Sequence, residues 1–302
     1  MDQKSKIYLI AGPTASGKSS FSIKLAKKVN GEIINADSMQ VYKELKILTA
    51  RPTLKSQKKI KHHLYGFLNV KKKFSVGDWI NLAKKKISSI QSNKKTPIIV
   101  GGTGMYFNSL IEGLVEIPLI SKKSRVETIK LQRKLGQSKF YKKLIRLDPK
   151  IKGKFNSQDI QRSIRAYEVK KYTKRSLIDW FGKTRKIFND KEFIKIYIDY
   201  PRSELIKKIE ARTNEMIENG AINEVKKFLK LKIKKDNSSS KVIGISEISQ
   251  YIRGKMSIED LKEKISIKTR QYAKRQTTWS RSRMVNWQKI HPKHLNTFIK
   301  NI

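Results

Sequence analysis

The sequence predicts an α/β protein in which helices cover both faces of a parallel sheet, with an inserted all-helical subdomain. Apolar stretches of strand length alternate with amphipathic helical stretches, a pattern typical of parallel sheets. A glycine-rich motif follows the first of these strands. Between residues 118 and 184 the strand pattern stops, and a basic helical pattern replaces it. We therefore predict a core of residues 1–117 and 185–302 and a helical insertion of residues 118–184.

The individual elements follow from apolar periodicity and from the residues at their ends. Strands are predicted at residues 6–11, 32–35, 97–100 and 193–198. Helices are predicted near residues 17–29, 78–91, 105–112, 201–219, 245–253 and 257–280. The last of these begins at Ser257 with a Ser-x-x-Asp pattern typical of a capping box. Residues 234–240, rich in Lys, Asn and Ser, are expected to form a flexible surface loop.

The last predicted helix has two distinct faces. A period of 3.6 places Arg270, Lys274 and Arg281 in one stripe. Tyr272 and Trp279 fall on the opposite side, where we expect them to enter the core. The basic stripe is either a contact surface or a solvated face.

The glycine-rich motif fits the phosphate-loop pattern G-x-x-x-x-G-K-[ST]. It consists of Gly12, Pro13, Thr14, Ala15, Ser16, Gly17, Lys18 and Ser19. Such a loop curls its backbone N–H groups around an anion, and the helix that follows directs its positive N-terminal end at it. Lys18 would reach the terminal phosphates, and the Ser19 hydroxyl would bind Mg²⁺. The motif predicts a phosphate or diphosphate site on a phosphate-loop NTPase-like sheet.

Two further segments lie at predicted strand ends. Because ligands of open parallel sheets bind beyond the carboxyl ends of the strands, Asp37 and Thr103 are expected near the phosphate loop. Asp37 is a candidate Mg²⁺ ligand or a candidate general base, and its alternative role is to cap a helix. Thr103 follows two glycines and has the same structural alternative.

The charge balance points to a polyanionic partner. The chain has 69 Lys and Arg against 25 Asp and Glu, a formal net charge of +44. A field of this sign attracts nucleic acid. The excess is mostly lysine, and Ile and Asn are also abundant, so a compositional bias of an AT-rich genome is the alternative explanation.

Other features exclude several classes of protein. The chain has no cysteine, which rules out disulfides and thiolate zinc sites. Its longest apolar runs are far too short to span a membrane, and no leader pattern opens it, so we expect a cytoplasmic protein with no membrane partner. His62-His63 and the pair His291 and His294 lack nearby carboxylate partners in the sequence, so no metal site is expected there.

Six blocks, in order, resemble the tRNA dimethylallyltransferase (tRNA isopentenyltransferase, IPP transferase) family. They are GPTASGKS, INADSMQVYKELKILTARPT, HHLYGF, IIVGGTGMYFNSLIEGL, DIQRSIRAYEV and TRQYAKRQTTW, spread over residues 7–283. The patterns D-S-x-x-x-Y and T-R-x-x-A-K-R-Q-x-x-W are much more specific than the phosphate loop alone.

The resemblance implies transfer of a dimethylallyl group from dimethylallyl diphosphate to N6 of the adenosine 3′-adjacent to the anticodon, in tRNAs that read codons beginning with U. It implies that Mg²⁺ is required, that residues 12–19 hold the diphosphate, and that Asp37 is the general base. It also implies that the tRNA anticodon stem-loop contacts a set of residues comprising Asp37, Ser38, Met39, Gln40, Thr103, Arg125, Gln161, Arg162, Ser163, Ile164 and Arg165. A monomer is the default expectation.

One block departs from the family pattern. Many members have arginine ahead of the glycine in the segment that reads Lys241-Val-Ile-Gly244 here, where it helps to hold the diphosphate. Lys241 retains the charge without the planar, bidentate guanidinium.

Two rival functions share some of these features. A small-molecule or nucleoside kinase would use the same loop and sheet, with Asp37 activating a hydroxyl group. A nucleic-acid-binding protein with a vestigial loop would bind tRNA regardless of Asp37 or a diphosphate donor.

Overall fold

The computed structural model describes residues 6–182 and 184–302, which form a six-stranded parallel sheet and twelve α-helices. The strands are β1 (Ile7–Ala11), β2 (Gly31–Asn35), β3 (His62–His63), β4 (Thr96–Gly101), β5 (Phe193–Ile198) and β6 (Gln288–Ile290). The helices are α1 (Lys18–Lys28), α2 (Leu54–Lys59), α3 (Val76–Ser92), α4 (Gly104–Glu112), α5 (Lys122–Leu147), α6 (Ile160–Thr173), α7 (Leu177–Phe181), α8 (Arg202–Glu218), α9 (Ala221–Lys230), α10 (Ile245–Ile252), α11 (Ile258–Arg283) and α12 (Leu295–Lys300).

The strand order β3-β2-β4-β1-β5-β6 places the phosphate loop at the centre of one sheet edge. Ala11 of β1 pairs with Gly101 on one side and Tyr197 on the other, and Asn35 pairs with Val100. The loops that follow β1, β2, β4 and β5 therefore begin side by side. The predicted fold class is confirmed, and this edge is where ligands bind in such sheets.

Two large apolar clusters stabilise the sheet unit. Phe21 and Leu25 of α1 pack on the sheet with side chains such as Ile10 and Ile98. A second cluster lies away from the strands, where the 41–48 segment packs against α8–α11 through residues such as Leu45 and Val225. The four central strands are buried along nearly their whole length, which explains why their sequences are mostly apolar.

The structure divides the chain into two compact units, residues 1–111 with 188–302 and residues 112–187. The segment predicted as an insertion, 118–184, lies inside the second unit. That unit consists of α5, α6 and α7 around a core that includes Phe140, Leu144 and Tyr167. Gly136 interrupts α5 with φ 71°, so this helix is kinked.

Several details differ from the predictions. The sequence pattern does not predict β3 and β6, which have only two and three residues and pair at the sheet edges. It also does not predict the helices α2, α9 and α12. The segment 234–240, predicted to be a flexible surface loop, is exposed at residues 234–236 and 238 but is attached to the core at two positions: Asn237 and Ser239 are buried, and both side chains donate hydrogen bonds to the carbonyl of Val70. Short polar side chains that bind backbone carbonyls stabilise this segment.

No helix in the described part of the chain is both long enough and apolar enough to cross a membrane.

Gly101 is required by the contact between β4 and the segment that follows β2. A Cβ atom at this position would lie 2.0 Å from the carbonyl oxygen of Ala36. Because the backbone there belongs to the sheet, we expect Gly101→Ala to lower the free energy of unfolding by about 3 kcal/mol or more. Denaturant unfolding measures the change. Gly77→Ala is the control, because its Cβ would meet only a side-chain atom at 3.5 Å, and a stability loss equal to that of Gly101→Ala would contradict the explanation.

Candidate active site

The phosphate loop is shaped by side chains from distant helices. Gln276 of α11 accepts a hydrogen bond from the Thr14 amide at 2.8 Å and donates one to the carbonyl of Gly102 at 3.0 Å. Arg212 of α8 donates to the Thr14 hydroxyl at 2.8 Å. The turn after β1 is therefore tied to the turn after β4 and to two helices of the C-terminal region.

Lys18 lies in the first turn of α1 and donates to the carbonyl of Pro13 at 2.6 Å. Burial lowers the pKa of Lys18 to about 8; the Asp37 carboxylate opposes this shift and the Arg212 cation adds to it. The Ser16 hydroxyl is buried in the same loop and has no hydrogen-bond partner among the described residues. A buried hydroxyl and two close cations are suited to an anionic ligand.

Asp37 is held by its neighbours at the end of β2. Its backbone N–H donates to the side-chain oxygen of buried Asn35 at 2.8 Å, and its carbonyl accepts from the Asn35 amide at 2.9 Å. The Asp37 Oδ1 accepts from the Met39 N–H at 2.9 Å. This is a local turn rather than the start of a helix, so the structure does not support a helix-capping role.

Three tyrosines lie close enough to the Asp37 carboxylate for its charge to act on them. Burial raises the pKa of Tyr65, Tyr106 and Tyr272, and the negative charge of Asp37 raises each of them further. These phenols remain protonated at neutral pH. Sequence reasoning missed all three in this role, and Tyr272, predicted to enter the core, lines a cleft instead.

Thr103 connects the turns after β4 and β2. Its hydroxyl accepts a hydrogen bond from the Ser38 N–H at 3.0 Å and contacts the Ser38 hydroxyl at 3.3 Å. The side chain of Gln40 donates to the carbonyls of Thr49 and Ala50. In this structure Thr103 and Gln40 thus stabilise the loops beside Asp37.

A cleft of about 290 Å³ opens beside Thr14 and Asp37. Three cationic side chains line it, namely Arg212, Lys241 and Arg275. Seven apolar side chains form much of the remaining wall, namely Met39, Leu48, Ile209, Met216, Val242, Ile243 and Ile265. The cleft therefore combines a cationic, polar part with an apolar part, as an amphiphilic anion requires.

Arg212, Gln276 and Arg275 are site residues that sequence reasoning missed. Arg212 and Gln276 could have been recognised from the spacing of residues in the sequence. Arg212 lies three residues after buried Ile209 and four before Met216, and Gln276 has the same spacing between Ala273 and Ser280. A polar side chain on the buried face of a helix indicates a specific partner.

His63 has a partner that the sequence reading did not find. Its ring Nε2 lies 2.6 Å from the carboxylate of Glu32, which also binds Lys95 at 2.8 Å. Across residues 6–182 and 184–302, no group of three or more His, Cys, Asp or Glu side chains is arranged to hold a metal ion.

In the helical unit, Arg125 and Arg165 share one carboxylate, that of buried Glu168. Arg162 pairs with Asp159 at the start of α6. Gln161 is exposed, whereas Ser163 and Ile164 are buried. This corrects the predicted contact block: of its five residues on α6, Gln161, Arg162 and Arg165 present side chains at the surface of this unit, and Ser163 and Ile164 do not.

The all-parallel strand order, with a phosphate loop leading from the central strand into α1, places the chain among the phosphate-loop α/β proteins.

Comparison with known proteins narrows this class. Residues 40–283 match the sequence model of the IPP transferase family. A tRNA dimethylallyltransferase of Pelagibacter ubique is 60% identical over 302 residues, which is all of this chain and 96% of the relative. One from Rickettsia massiliae is 42% identical over 93% of this chain and 78% of its own length. The chain belongs to the IPP transferase family.

Solved structures agree with this assignment. The full-length tRNA isopentenylpyrophosphate transferase of Bacillus halodurans is 31% identical with a TM-score of 0.70, covering 98% of this chain and 94% of its own. A eukaryotic dimethylallyltransferase solved while acting on tRNA is 27% identical with a TM-score of 0.84, covering 95% and 74%. The family resemblance of the sequence is confirmed.

Because the pKa of Lys18 lies near 8, we expect anion binding at the phosphate loop to depend on pH. A lysine with a pKa of about 8 is charged below that pH and neutral above it. We therefore expect the Kd for inorganic diphosphate to rise above about pH 8, by up to about tenfold per pH unit. Isothermal titration calorimetry between about pH 7 and pH 9.5 measures this dependence.

Lys18→Arg is the matched variant, because a guanidinium keeps its proton throughout this range. Its Kd should change little with pH. A wild-type Kd that stays constant across pH 8 would show that the Lys18 charge does not hold the anion.

Proposed function

We propose that the protein is a tRNA dimethylallyltransferase. It transfers a dimethylallyl group from dimethylallyl diphosphate to N6 of the adenosine 3′-adjacent to the anticodon, in tRNAs that read codons beginning with U, and releases diphosphate. The observation that carries the proposal is the cleft at the carboxyl edge of the sheet, where a cationic phosphate loop, a fixed carboxylate and apolar walls meet in a member of the IPP transferase family.

The donor requires two chemically different surroundings. Its diphosphate would bind at the phosphate loop, where the Arg212 cation is close enough to lower the pKa of Lys18. The unpartnered Ser16 hydroxyl supplies a further donor in that loop. The dimethylallyl group would lie on the apolar wall that includes Ile209 and Met216. Lys241 lines the same cleft, and we propose it as a further cation for the diphosphate.

The acceptor requires a base, because the exocyclic amine of adenine is a weak nucleophile. Asp37 is the acidic side chain that lines the cleft, and Asn35 fixes its backbone through two hydrogen bonds. An unpaired anticodon-loop adenosine enters such a pocket at modest energetic cost. We propose that N6 approaches Asp37, with Ser38 and Thr103 supporting the loop that carries the base.

The bond changes follow from these positions. The allylic C1–O bond breaks, and its electron pair leaves with the diphosphate. Lys18, Arg212 and the loop amides stabilise the negative charge where it develops. The N6 nitrogen forms the new bond to C1, and the carboxylate of Asp37 takes the N6 proton. The products are the N6-dimethylallyl adenosine and diphosphate.

The residues present fit a magnesium ion. Ser19 is exposed at the first turn of α1, and its hydroxyl is a suitable ligand beside a bound diphosphate. Mg²⁺ is commonly held by one or two protein oxygens together with phosphate oxygens and water. When bound, the ion would neutralise charge on the leaving diphosphate. We propose Ser19 as its protein ligand.

Mass analysis of tRNA nucleosides tests the reaction directly. The protein is incubated with tRNA, Mg²⁺ and dimethylallyl diphosphate, and the expected product is one dimethylallyl group on a single anticodon-loop adenosine. A parallel thermal-shift series compares dimethylallyl diphosphate with ATP. Stabilisation by ATP alone, with unmodified tRNA, would favour a kinase and overturn the proposal.

Asp37→Asn separates catalysis from binding. Removing a general base is expected to lower turnover by about a hundredfold or more while the Kd for tRNA stays within a few-fold. Single-turnover transfer and filter binding measure the two quantities. Asp199→Asn, at the end of β5, is the control because it removes a carboxylate from the same sheet edge. Equal turnover in the Asp37 variant and the wild type would refute the base assignment.

Location in the cytoplasm and a monomeric state are predictions from the sequence that accompany this proposal.

A further inference from the structure

A buried carboxylate joins two arginines in the helical unit. The Glu168 side chain on α6 has no exposed surface, and its Oε2 lies 3.1 Å from Arg125 Nη1 and 3.3 Å from Arg165 Nη1. Arg125 is in the first turn of α5, 43 residues away along the chain, and Arg165 is one turn before Glu168. The shared carboxylate therefore brings a distant arginine beside a local one.

The charges of this triad do not cancel. Two guanidiniums and one carboxylate leave a net charge of +1, and the two cations would repel each other without the carboxylate between them. Arg125 remains 48% exposed and Arg165 38% exposed. Each guanidinium carries five N–H donors, more than its contact with Glu168 uses. The triad thus presents two oriented guanidiniums at the surface of the unit.

Arg162 shows the contrast on the same helix. It pairs with Asp159, three residues before it, and its side chain is 64% exposed. An exposed ion pair of this kind orders a side chain weakly. Burial of the carboxylate is what distinguishes the Glu168 triad, because a buried anion retains its partners strongly.

We propose that Glu168 is a positioning residue that holds Arg125 and Arg165 together as a two-guanidinium site for a backbone phosphate of RNA. This inference rests on the proposed function, which supplies the RNA. Paired guanidiniums match the oxygens of a phosphate and bind it with defined geometry. Glu168 itself would not touch the RNA.

The direction in which one substitution changes the affinity for tRNA shows whether Glu168 positions the arginines or only contributes its charge. Glu168→Gln preserves the shape of the side chain and removes one negative charge. If Glu168 only added negative charge to the surface, its loss would tighten binding to a polyanion. If it positions the arginines, binding should weaken, because a neutral amide oxygen holds them less firmly.

The experiment measures the Kd of the full chain for tRNA and its dependence on salt. For Glu168→Gln we expect a Kd about threefold to tenfold higher and a log–log salt slope smaller by about one. Glu127→Gln is the matched control, because it removes an exposed carboxylate of α5. That carboxylate accepts a hydrogen bond from the Tyr172 hydroxyl. Its Kd should be unchanged or slightly lower.

Arg125→Lys tests the same site without touching a buried residue, so it remains informative if Glu168→Gln unfolds. It keeps the charge and loses the planar fork, and we expect a Kd about threefold higher. In an Arg125→Ala background, Glu168→Gln should have a much smaller effect than in the wild type.

A folded Glu168→Gln variant that binds tRNA as tightly as the wild type, or more tightly, would overturn the inference. An unchanged Kd for Arg125→Lys would do the same. These results are distinguishable from failure of the proposed function, in which the wild-type protein itself neither binds tRNA nor modifies it. Glu168→Gln should leave the Kd for inorganic diphosphate unchanged, because that site lies in the other unit.

Discussion

The hydrogen bonds of Thr14 are the constraint on which the site depends. Its amide is bound by Gln276 and its hydroxyl by Arg212, which lie 262 and 198 residues further along the chain. Gln276 also binds the carbonyl of Gly102. The phosphate loop is therefore not an independent turn. Its position relative to β4 requires that α8 and α11 be folded against the sheet.

The same arrangement explains the electrostatics of the cleft. Arg212 shapes the loop and places a second cation near Lys18, while Asp37 supplies the opposing charge. Burial disfavours the protonated form of Lys18 and so lowers its pKa, and the nearby carboxylate of Asp37 partly offsets this effect. A bound anion would further stabilise the positive charges of Lys18 and Arg212. The loop, the carboxylate and the cations form one electrostatic unit, although they come from three separate parts of the sequence.

The helical unit uses charge in a different way. Its basic surface includes many solvated side chains, but Arg125 and Arg165 differ from the rest because a buried carboxylate joins them. Net charge attracts a polyanion over a long range, whereas oriented donors determine how it is held. A compositional bias toward lysine would by itself strengthen only the long-range attraction. The contacts with Glu168 orient two of the donors.

The parallel α/β fold, the phosphate loop, the place of Asp37 at a strand end and the family could be predicted from the sequence by itself. Each of these features depends on residues that are close together in the chain. Continuous apolar runs mark buried strands, and the loop motif occupies eight consecutive positions. Only the tertiary structure showed that Arg212 and Gln276 bind the phosphate loop, that Tyr272 lines the cleft and that Glu168 joins two arginines, and it placed Ser163 and Ile164 in the interior. The physical reason is that a polar side chain within a helix obtains its role from what packs against it, and that contact is made by segments far apart in the chain.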